Sequence, residues 1–89
     1  MSILEFNFYH DAGHGWLEVP LELIYEYGIG EAISSYSYTG NGRVYLEEDC
    51  DAAILLNELD KRAIAWKTNP IYHEDSYIRG YRRWAAKAA

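Results

Sequence analysis

The sequence predicts one small α+β domain in which two helices cover an antiparallel sheet of about five strands. Two observations predict it. Short runs of alternating side chains are separated by glycine-rich turns, and two other segments carry apolar residues at helical spacing. The predicted order is β-β-α-β-β-α-β, which places the helices on one face of the sheet. The 89 residues suit a single domain, which we place at 1–84, with an alanine-rich tail at 85–89 that is free to fray.

The first half of the chain predicts a hairpin followed by a short helix. Residues 3–9 alternate between apolar and polar side chains, and residues 16–19 form the returning strand after a glycine-rich turn. Pro20 suits the first turn of a helix, where its missing N–H costs nothing, and Gly28 suits the position just after the last turn. We therefore predict a helix over residues 20–27.

The middle of the chain predicts a second hairpin. Residues 33–38 alternate at period two, and residues 43–47 alternate again after an Asn-Gly pair at 41–42. An Asn-Gly pair between two alternating runs is the strongest short-range signal of a hairpin, because both residues tolerate positive φ.

A second helix and a fifth strand follow. Residues 52–62 carry an apolar stripe, with Asp49 as the predicted N-cap and Asp51 near the positive end of the helix dipole. Residues 63–67 predict a strand, which we expect to end at the turn-favouring residues 68–70. Beyond that point the pattern is irregular.

Charge is distributed unevenly along the chain. The formal net charge is −6, yet the first sixty residues hold twelve acidic side chains and a single basic one, Arg43, whereas residues 61–89 hold seven basic and two acidic side chains. An acidic surface repels nucleic acid and attracts the proteins that bind it. The basic cluster that includes Arg79, Arg82 and Arg83 either pairs with acids of the first sixty residues or binds an external anion.

Several classes of protein are excluded by the sequence. No apolar run is long enough to span a bilayer, and the N-terminal segment has no basic residue of the kind that begins a secretory signal. The single cysteine, Cys50, cannot form an intramolecular disulfide. We therefore expect a cytoplasmic protein with no membrane partner.

Catalytic and metal chemistry find little support. His10, Asp11 and His14 offer two imidazoles and a carboxylate, but a flexible turn does not constrain them as zinc motifs are constrained. The acids beside Cys50 raise a thiol pKa whereas a helix N-terminus lowers it, and no histidine is tied to Cys50 by spacing. Since the chain also lacks a phosphate-binding loop, we expect no catalytic residue, no metal and no cofactor.

A partner-binding face is the remaining hypothesis. Acidic and tyrosine side chains flank the second hairpin and precede the second helix, and the simpler interpretation is a solvated edge with tyrosines in the core. If these residues act together, they form an acidic surface with aromatic anchors. The predicted set comprises Glu47, Glu48, Asp49 and Asp51 with Tyr36, Tyr38 and Tyr45.

Three strings carry a resemblance to known sequences. HDAGHGWLEVP at 10–20, ISSYSY at 33–38 and YLEEDCDA at 45–52 are similar to a family of small uncharacterised proteins of bacteriophages and mobile elements. By analogy of size and charge, such proteins resemble anti-CRISPR and anti-restriction inhibitors.

The analogy to these inhibitors, rather than the family resemblance itself, implies an anti-defence protein in the cytoplasm of a host bacterium. Its partner would be a host defence complex, a CRISPR effector, which it binds stoichiometrically without touching nucleic acid itself. Because duplex DNA carries one charge per about 1.7 Å of axis, a rigid acidic face would block the groove that holds it. The alternative is a small-molecule or metal-binding protein that uses the His10–His14 turn with Trp16, either to sequester a nucleotide or as a minimal hydrolase.

Overall fold

A six-stranded mixed sheet organises the described part of the chain, residues 3–74 and 77–86 of the computed structural model. The strand order is β5-β1-β2-β4-β3-β6, and every pairing is antiparallel except that of β1 with β5. The strands are β1 Leu4–His10, β2 Gly15–Pro20, β3 Tyr38–Gly40, β4 Arg43–Glu47, β5 Trp66–Tyr72 and β6 Arg82–Arg83. The helices are α1 Leu21–Glu26 and α2 Ala52–Lys61, with 3₁₀ turns at Gly30–Ala32 and Tyr77–Gly80.

The α+β class is confirmed, and both helices lie within a few residues of their predicted positions. The sheet has six strands rather than five, and it is not wholly antiparallel. None of the helices in residues 3–74 and 77–86 is long and apolar enough to cross a membrane. Residues 87–89 of the predicted tail lie outside the described residues.

The second hairpin is confirmed, but its first strand is shorter than predicted. Asn41 and Gly42 both have positive φ, at 54° and 74°, as a type I′ turn requires. Strand β3 begins only at Tyr38, and the four residues before it do not belong to the sheet. Their polar groups turn instead toward Asp51, with the hydroxyls of Ser34 and Ser37 both donating to its carboxylate. A local side-chain network therefore replaces the ladder that the alternating pattern predicted.

The fifth strand runs further than predicted. Strand β5 pairs in parallel with β1, from Leu4 opposite Trp66 to His10 opposite Tyr72. Pro70, which we expected to end the strand, lies inside it. This is permitted because β5 is the outermost strand, where an absent N–H need not break a second ladder.

Both faces of the sheet are covered. One face packs against the two helices, and the opposite face carries aromatic residues beneath the C-terminal segment. The helix-side core includes Leu17, Val19, Val44 and Leu46 of the sheet with Ile24, Leu55 and Leu59 of the helices. The aromatic side comprises Trp16, Tyr38, Tyr45 and Ile78, with Tyr9 and Tyr81 packed against them.

The C-terminal segment closes the fold, which the sequence pattern did not predict. Strand β6 pairs with β3, placing Arg83 opposite Tyr38. The buried Trp84 then donates its indole N–H to the carbonyl of Gly30 at 2.9 Å, and its backbone N–H to the carbonyl of Ser37 at 2.8 Å. These bonds attach the segment to the loop that follows α1.

Candidate functional site

A surface cleft of about 440 Å³ opens beside the aromatic face of the sheet. Four parts of the chain meet there: the turn after β1, the segment before β3, the turn after β4, and the C-terminal segment. The lining residues are Gly13, His14, Trp16, Tyr36, Tyr38, Glu47, Asp49, Cys50, Arg79 and Arg83. We refer to this set as the aromatic cleft.

The aromatic cleft unites groups that are separate in the sequence. Segments 10–20, 33–38 and 45–52 supply eight of its ten lining residues, and the other two are arginines of the C-terminal segment. Four of the seven residues predicted to bind a partner line it, namely Tyr36, Tyr38, Glu47 and Asp49. The strand order explains the convergence, because β2, β4 and β3 are successive neighbours in the sheet.

Asp51 lies beneath the cleft rather than on its surface. It is only 1% exposed, and its carboxylate accepts hydrogen bonds from the Ser34 N–H at 3.1 Å, the Ser34 hydroxyl at 2.7 Å and the Ser37 hydroxyl. We predicted Asp51 as part of an acidic surface, and that placement is wrong. Its role in the fold is to hold segment 34–37, which carries Tyr36.

Glu47 plays the corresponding role for the turn after β4. Its side chain is largely buried, and its Oε1 accepts the backbone N–H groups of Asp49 and Cys50, each at 2.9 Å. The predicted N-cap, Asp49, is therefore itself held by Glu47, and Asp51 occupies the N-cap position of α2 without a side-chain cap bond. Of the four predicted acids, Glu47 thus positions the turn that carries Glu48 and Asp49, whereas Asp51 positions the segment that carries Tyr36.

The three predicted tyrosines divide in the same way. Tyr38 and Tyr45 are buried in the aromatic face, where the Tyr45 hydroxyl donates to Oε2 of Glu18 at 3.0 Å. Desolvation and this carboxylate raise the pKa of Tyr45 far above its usual range. Tyr36 is 62% exposed. Of the predicted face, the side chains that reach solvent are therefore Tyr36, Glu48 and Asp49.

Two arginines stack on aromatic rings of the cleft. The guanidinium carbon of Arg79 lies 4.9 Å from the Trp16 ring centroid, and that of Arg83 lies 5.2 Å from the Tyr38 ring centroid. Arg83 also donates to the carbonyl of Ser35 at 3.0 Å. Neither stacking was predicted, because the partners are distant in sequence and no spacing rule connects them.

The turn after β1 uses its polar groups internally. Oδ1 of Asp11 accepts the backbone N–H groups of Gly13 at 2.9 Å and His14 at 2.8 Å. Oδ2 of Asp11 accepts a hydrogen bond from Nη1 of Arg79 at 2.6 Å. Nη2 of Arg79 lies 2.9 Å from Nδ1 of His14. The Arg79 hydrogen bond and those from the turn hold the pKa of Asp11 at about 2. Arg79 thus follows the internal-pairing interpretation of the basic segment.

Metal and nucleophile chemistry lack a suitable arrangement in the described residues. Within 3–74 and 77–86, no group of three or more His, Cys, Asp or Glu side chains is placed to hold a metal ion. Cys50 is exposed and shares the cleft with His14. However, the pKa of its thiol is raised, first by a hydrogen bond to Glu47 and then by desolvation and neighbouring carboxylates. Because the thiolate is the reactive form, Cys50 is poorly suited to nucleophilic attack.

No protein-family model, no curated protein and no solved structure matches the chain.

Proposed function

We propose that this protein is an anti-defence inhibitor of phage type that binds a CRISPR effector complex stoichiometrically and blocks its access to nucleic acid. The contact surface comprises Tyr36 and Asp49, which line the aromatic cleft, and the exposed Glu48, which precedes Asp49 and lines the neighbouring pocket. We call these three residues the rim. The resemblance of three sequence segments to proteins of bacteriophages and mobile elements supports a phage-type origin. Partner binding is supported by the exposure of Tyr36, Glu48 and Asp49.

One observation carries the proposal: buried carboxylates hold both loops of the rim in place. Asp51 bonds the segment that carries Tyr36, and Glu47 bonds the turn that carries Asp49. The Ser37 hydroxyl links the two networks, since it donates to Asp51 and accepts the N–H of Glu47 at 2.9 Å. A preorganised surface loses little conformational entropy on binding, which is what a tight stoichiometric inhibitor needs.

The charge of the rim also supports a basic partner. Neither Glu48 nor Asp49 forms an ion pair with any described residue, and both are exposed. Several C-terminal cations are instead neutralised within the fold. Lys61 and Arg62 pair with Glu58, and Arg79 pairs with Asp11. Carboxylates beside an exposed tyrosine fit the basic groove in which a nuclease complex holds its nucleic acid.

A plaque assay tests this function in cells. The protein is expressed in a bacterium whose CRISPR system targets an infecting phage, and plaque formation is counted. We expect the wild-type protein to restore plaque formation by protecting the phage from the CRISPR system. The double variant Glu48→Lys/Asp49→Lys should lose this protection of the phage, so that few plaques form. The matched control is Glu22→Lys/Glu26→Lys, which reverses two exposed acids on α1 and should protect as wild type does. Failure of the wild type across the CRISPR types tested would contradict the proposal.

For the alternative function, small-molecule binding, we propose the aromatic cleft as the site in place of the His10–His14 turn. Asp11 already bonds Arg79 and the turn backbone, and Nδ1 of His14 already lies against Arg79. The cleft volume of about 440 Å³ nevertheless falls within the range of small-ligand sites. Saturable binding of a mononucleotide in the cleft, measured by calorimetry, would favour nucleotide sequestration.

A further inference from the structure

We propose that the aromatic cleft receives an arginine side chain of the partner, whose guanidinium stacks on the Tyr36 ring and pairs with the Asp49 carboxylate. This inference rests on the proposed function and names the chemical group that the rim recognises. It is drawn from the way the cleft already places its own arginines.

The cleft contains two guanidinium–aromatic pairs of its own. Arg79 lies over Trp16, and Arg83 lies over Tyr38. Each cation is held by a second contact to an oxygen: Arg79 bonds the Asp11 carboxylate, and Arg83 bonds the Ser35 carbonyl. The recurring arrangement is therefore a flat guanidinium on a ring, fixed by an oxygen acceptor at its edge.

Tyr36 also lines the cleft, but unlike Trp16 and Tyr38 it has no guanidinium of the described residues over its ring. Tyr36 is 62% exposed, and its ring contacts no aromatic ring or guanidinium among the described residues. Its backbone is nevertheless fixed, because its N–H donates to the Ser34 hydroxyl, which in turn donates to Asp51. The Tyr36 ring therefore projects into solvent from a segment with a fixed backbone, and a ligand can reach it.

The charges around Tyr36 favour a cation. Asp49 lines the same cleft, and its carboxylate forms no hydrogen bond or ion pair with the described residues. Glu47 adds a second carboxylate at the wall, while the charge of Arg79 is offset by Asp11. Arg83 is the opposing cation, so two carboxylates face one uncompensated guanidinium.

An arginine fits this setting better than a lysine or a phosphate. A guanidinium is planar, so it can stack on Tyr36 and donate in its own plane to a carboxylate, which a compact ammonium cannot do. A phosphate would meet the carboxylates of Asp49 and Glu47, which repel it. Arginine is also a common anchor of protein interfaces and a common ligand of nucleic-acid phosphates. If the cleft binds such an arginine, that side chain can no longer contact the nucleic acid that the partner holds.

The test is a two-dimensional NMR titration of the isotope-labelled protein with short peptides. The probes are acetyl-Gly-Arg-Gly-amide, the same peptide with lysine, the same peptide with citrulline, and adenosine monophosphate. We expect the arginine peptide to shift the backbone signals of residues 36 and 49 and to bind more tightly than the other three. Citrulline is the sharpest comparison, because it keeps the shape of the side chain and removes its charge. Equal binding of citrulline, preferred binding of the nucleotide, or no binding of arginine would overturn the inference.

Three variants locate the site. Tyr36→Leu should weaken the arginine peptide by about twofold to fivefold, the range of an exposed cation–π contact, whereas Tyr36→Phe keeps the ring and should retain binding. Asp49→Asn should weaken it to a similar degree, as expected for an exposed ion pair. The control Tyr25→Leu replaces a tyrosine that is 54% exposed outside the cleft, and it should bind as wild type does. An unchanged Tyr36→Leu variant would overturn the inference.

The plaque assay separates this inference from the proposed function. If Tyr36→Leu weakens arginine binding and also reduces plaque formation, the inference is supported. If Tyr36→Leu protects as well as wild type, the arginine site is overturned while the inhibitor function stands. If wild type gives no protection at all, the proposed function fails, and the peptide titration still reports on the site independently.

Discussion

The Ser37 hydroxyl donates a hydrogen bond to the Asp51 carboxylate, and both side chains are buried at the base of the cleft. Ser37 directly precedes β3 and Asp51 directly precedes α2, so this bond joins the sheet to the start of the longer helix. The same carboxylate holds Ser34. The geometry of the proposed binding rim therefore depends on a carboxylate that never meets the partner.

Replacing Asp51 should destabilise the whole domain. Asp51→Ala removes three hydrogen-bond acceptor contacts and leaves the buried Ser37 hydroxyl without its carboxylate partner. We expect the free energy of unfolding to fall by about 3 kcal/mol, because hydrogen bonds to charged groups contribute about 1.5–3 kcal/mol. Urea unfolding followed by tryptophan fluorescence measures it. Ser35→Ala changes an exposed neighbour and should fall within about 0.5 kcal/mol of wild type; an equal loss in both variants would contradict this account.

The Asp11–Arg79 pair should make stability depend on pH in the acid range. The pKa of Asp11 is lowered from 3.8 to about 2, so its ionised form stabilises the fold above about pH 4 and this contribution is lost as the pH falls toward 2. We compare urea midpoints of wild type and Asp11→Asn at pH 7, 4 and 2. The wild type should be more stable at pH 7, and the difference should shrink between pH 4 and 2. A difference that stays constant across that window would show that the ion pair is not the cause.

The close approach of Gly15 to Phe8 predicts a sharp contrast between two glycines. A Cβ at position 15 would collide with the Phe8 ring, whereas one at position 13 would meet open space. Gly15→Ala should lower the free energy of unfolding by about 1–3 kcal/mol, the usual cost of overpacking. Gly13→Ala should be close to neutral. Thermal unfolding of both variants decides the matter, and equal stability would mean that the Phe8 ring moves aside freely.

The raised pKa of Cys50 predicts slow thiol chemistry. Because the hydrogen bond to Glu47 is the first cause of the shift, the thiol should react with a disulfide reagent more slowly at pH 8 than a free cysteine peptide does. Asp49→Asn should change the rate little, since the charge of Asp49 is the smallest cause. The rate is followed by absorbance from pH 7 to pH 10. A rate that reaches its plateau below pH 8 would contradict the shift.

Local patterns predicted much of this fold. The Asn-Gly turn at 41–42 and the apolar stripe of α2 each act through neighbouring residues, so the sequence is sufficient to predict them. Pro20, predicted in the first turn of a helix, instead ends β2 and occupies the N-cap position of α1. The fold class follows from their order. The C-terminal strand β6 is only two residues long, which is too short to produce a recognisable alternation.

The errors arose where tertiary contacts outweigh local preference. Residues 34–37 alternate like a strand, but a buried carboxylate seventeen residues away from Ser34 supplies their hydrogen bonds. Asp51 is acidic and was therefore placed on the surface, since nothing in its neighbours predicts that two serines will surround it. The stacking of Arg79 on Trp16 also joins residues that are far apart in the sequence. The sequence predicted Tyr36 and Asp49 together with Tyr38, Tyr45, Glu47 and Asp51, and it could not distinguish the exposed side chains from the buried ones.

The central claim is most directly tested by the binding of target DNA to a purified CRISPR effector complex. This protein is added stepwise to the effector complex, whose concentration is kept well above the dissociation constant of the inhibitor–effector complex. The DNA that remains bound to the effector is measured by fluorescence anisotropy. The account predicts that DNA binding is lost at a fixed stoichiometric ratio, that Glu48→Lys/Asp49→Lys restores it, and that Glu22→Lys/Glu26→Lys inhibits as wild type does. Undiminished DNA binding at a large excess of the wild-type protein, across the effector types tested, would contradict the claim.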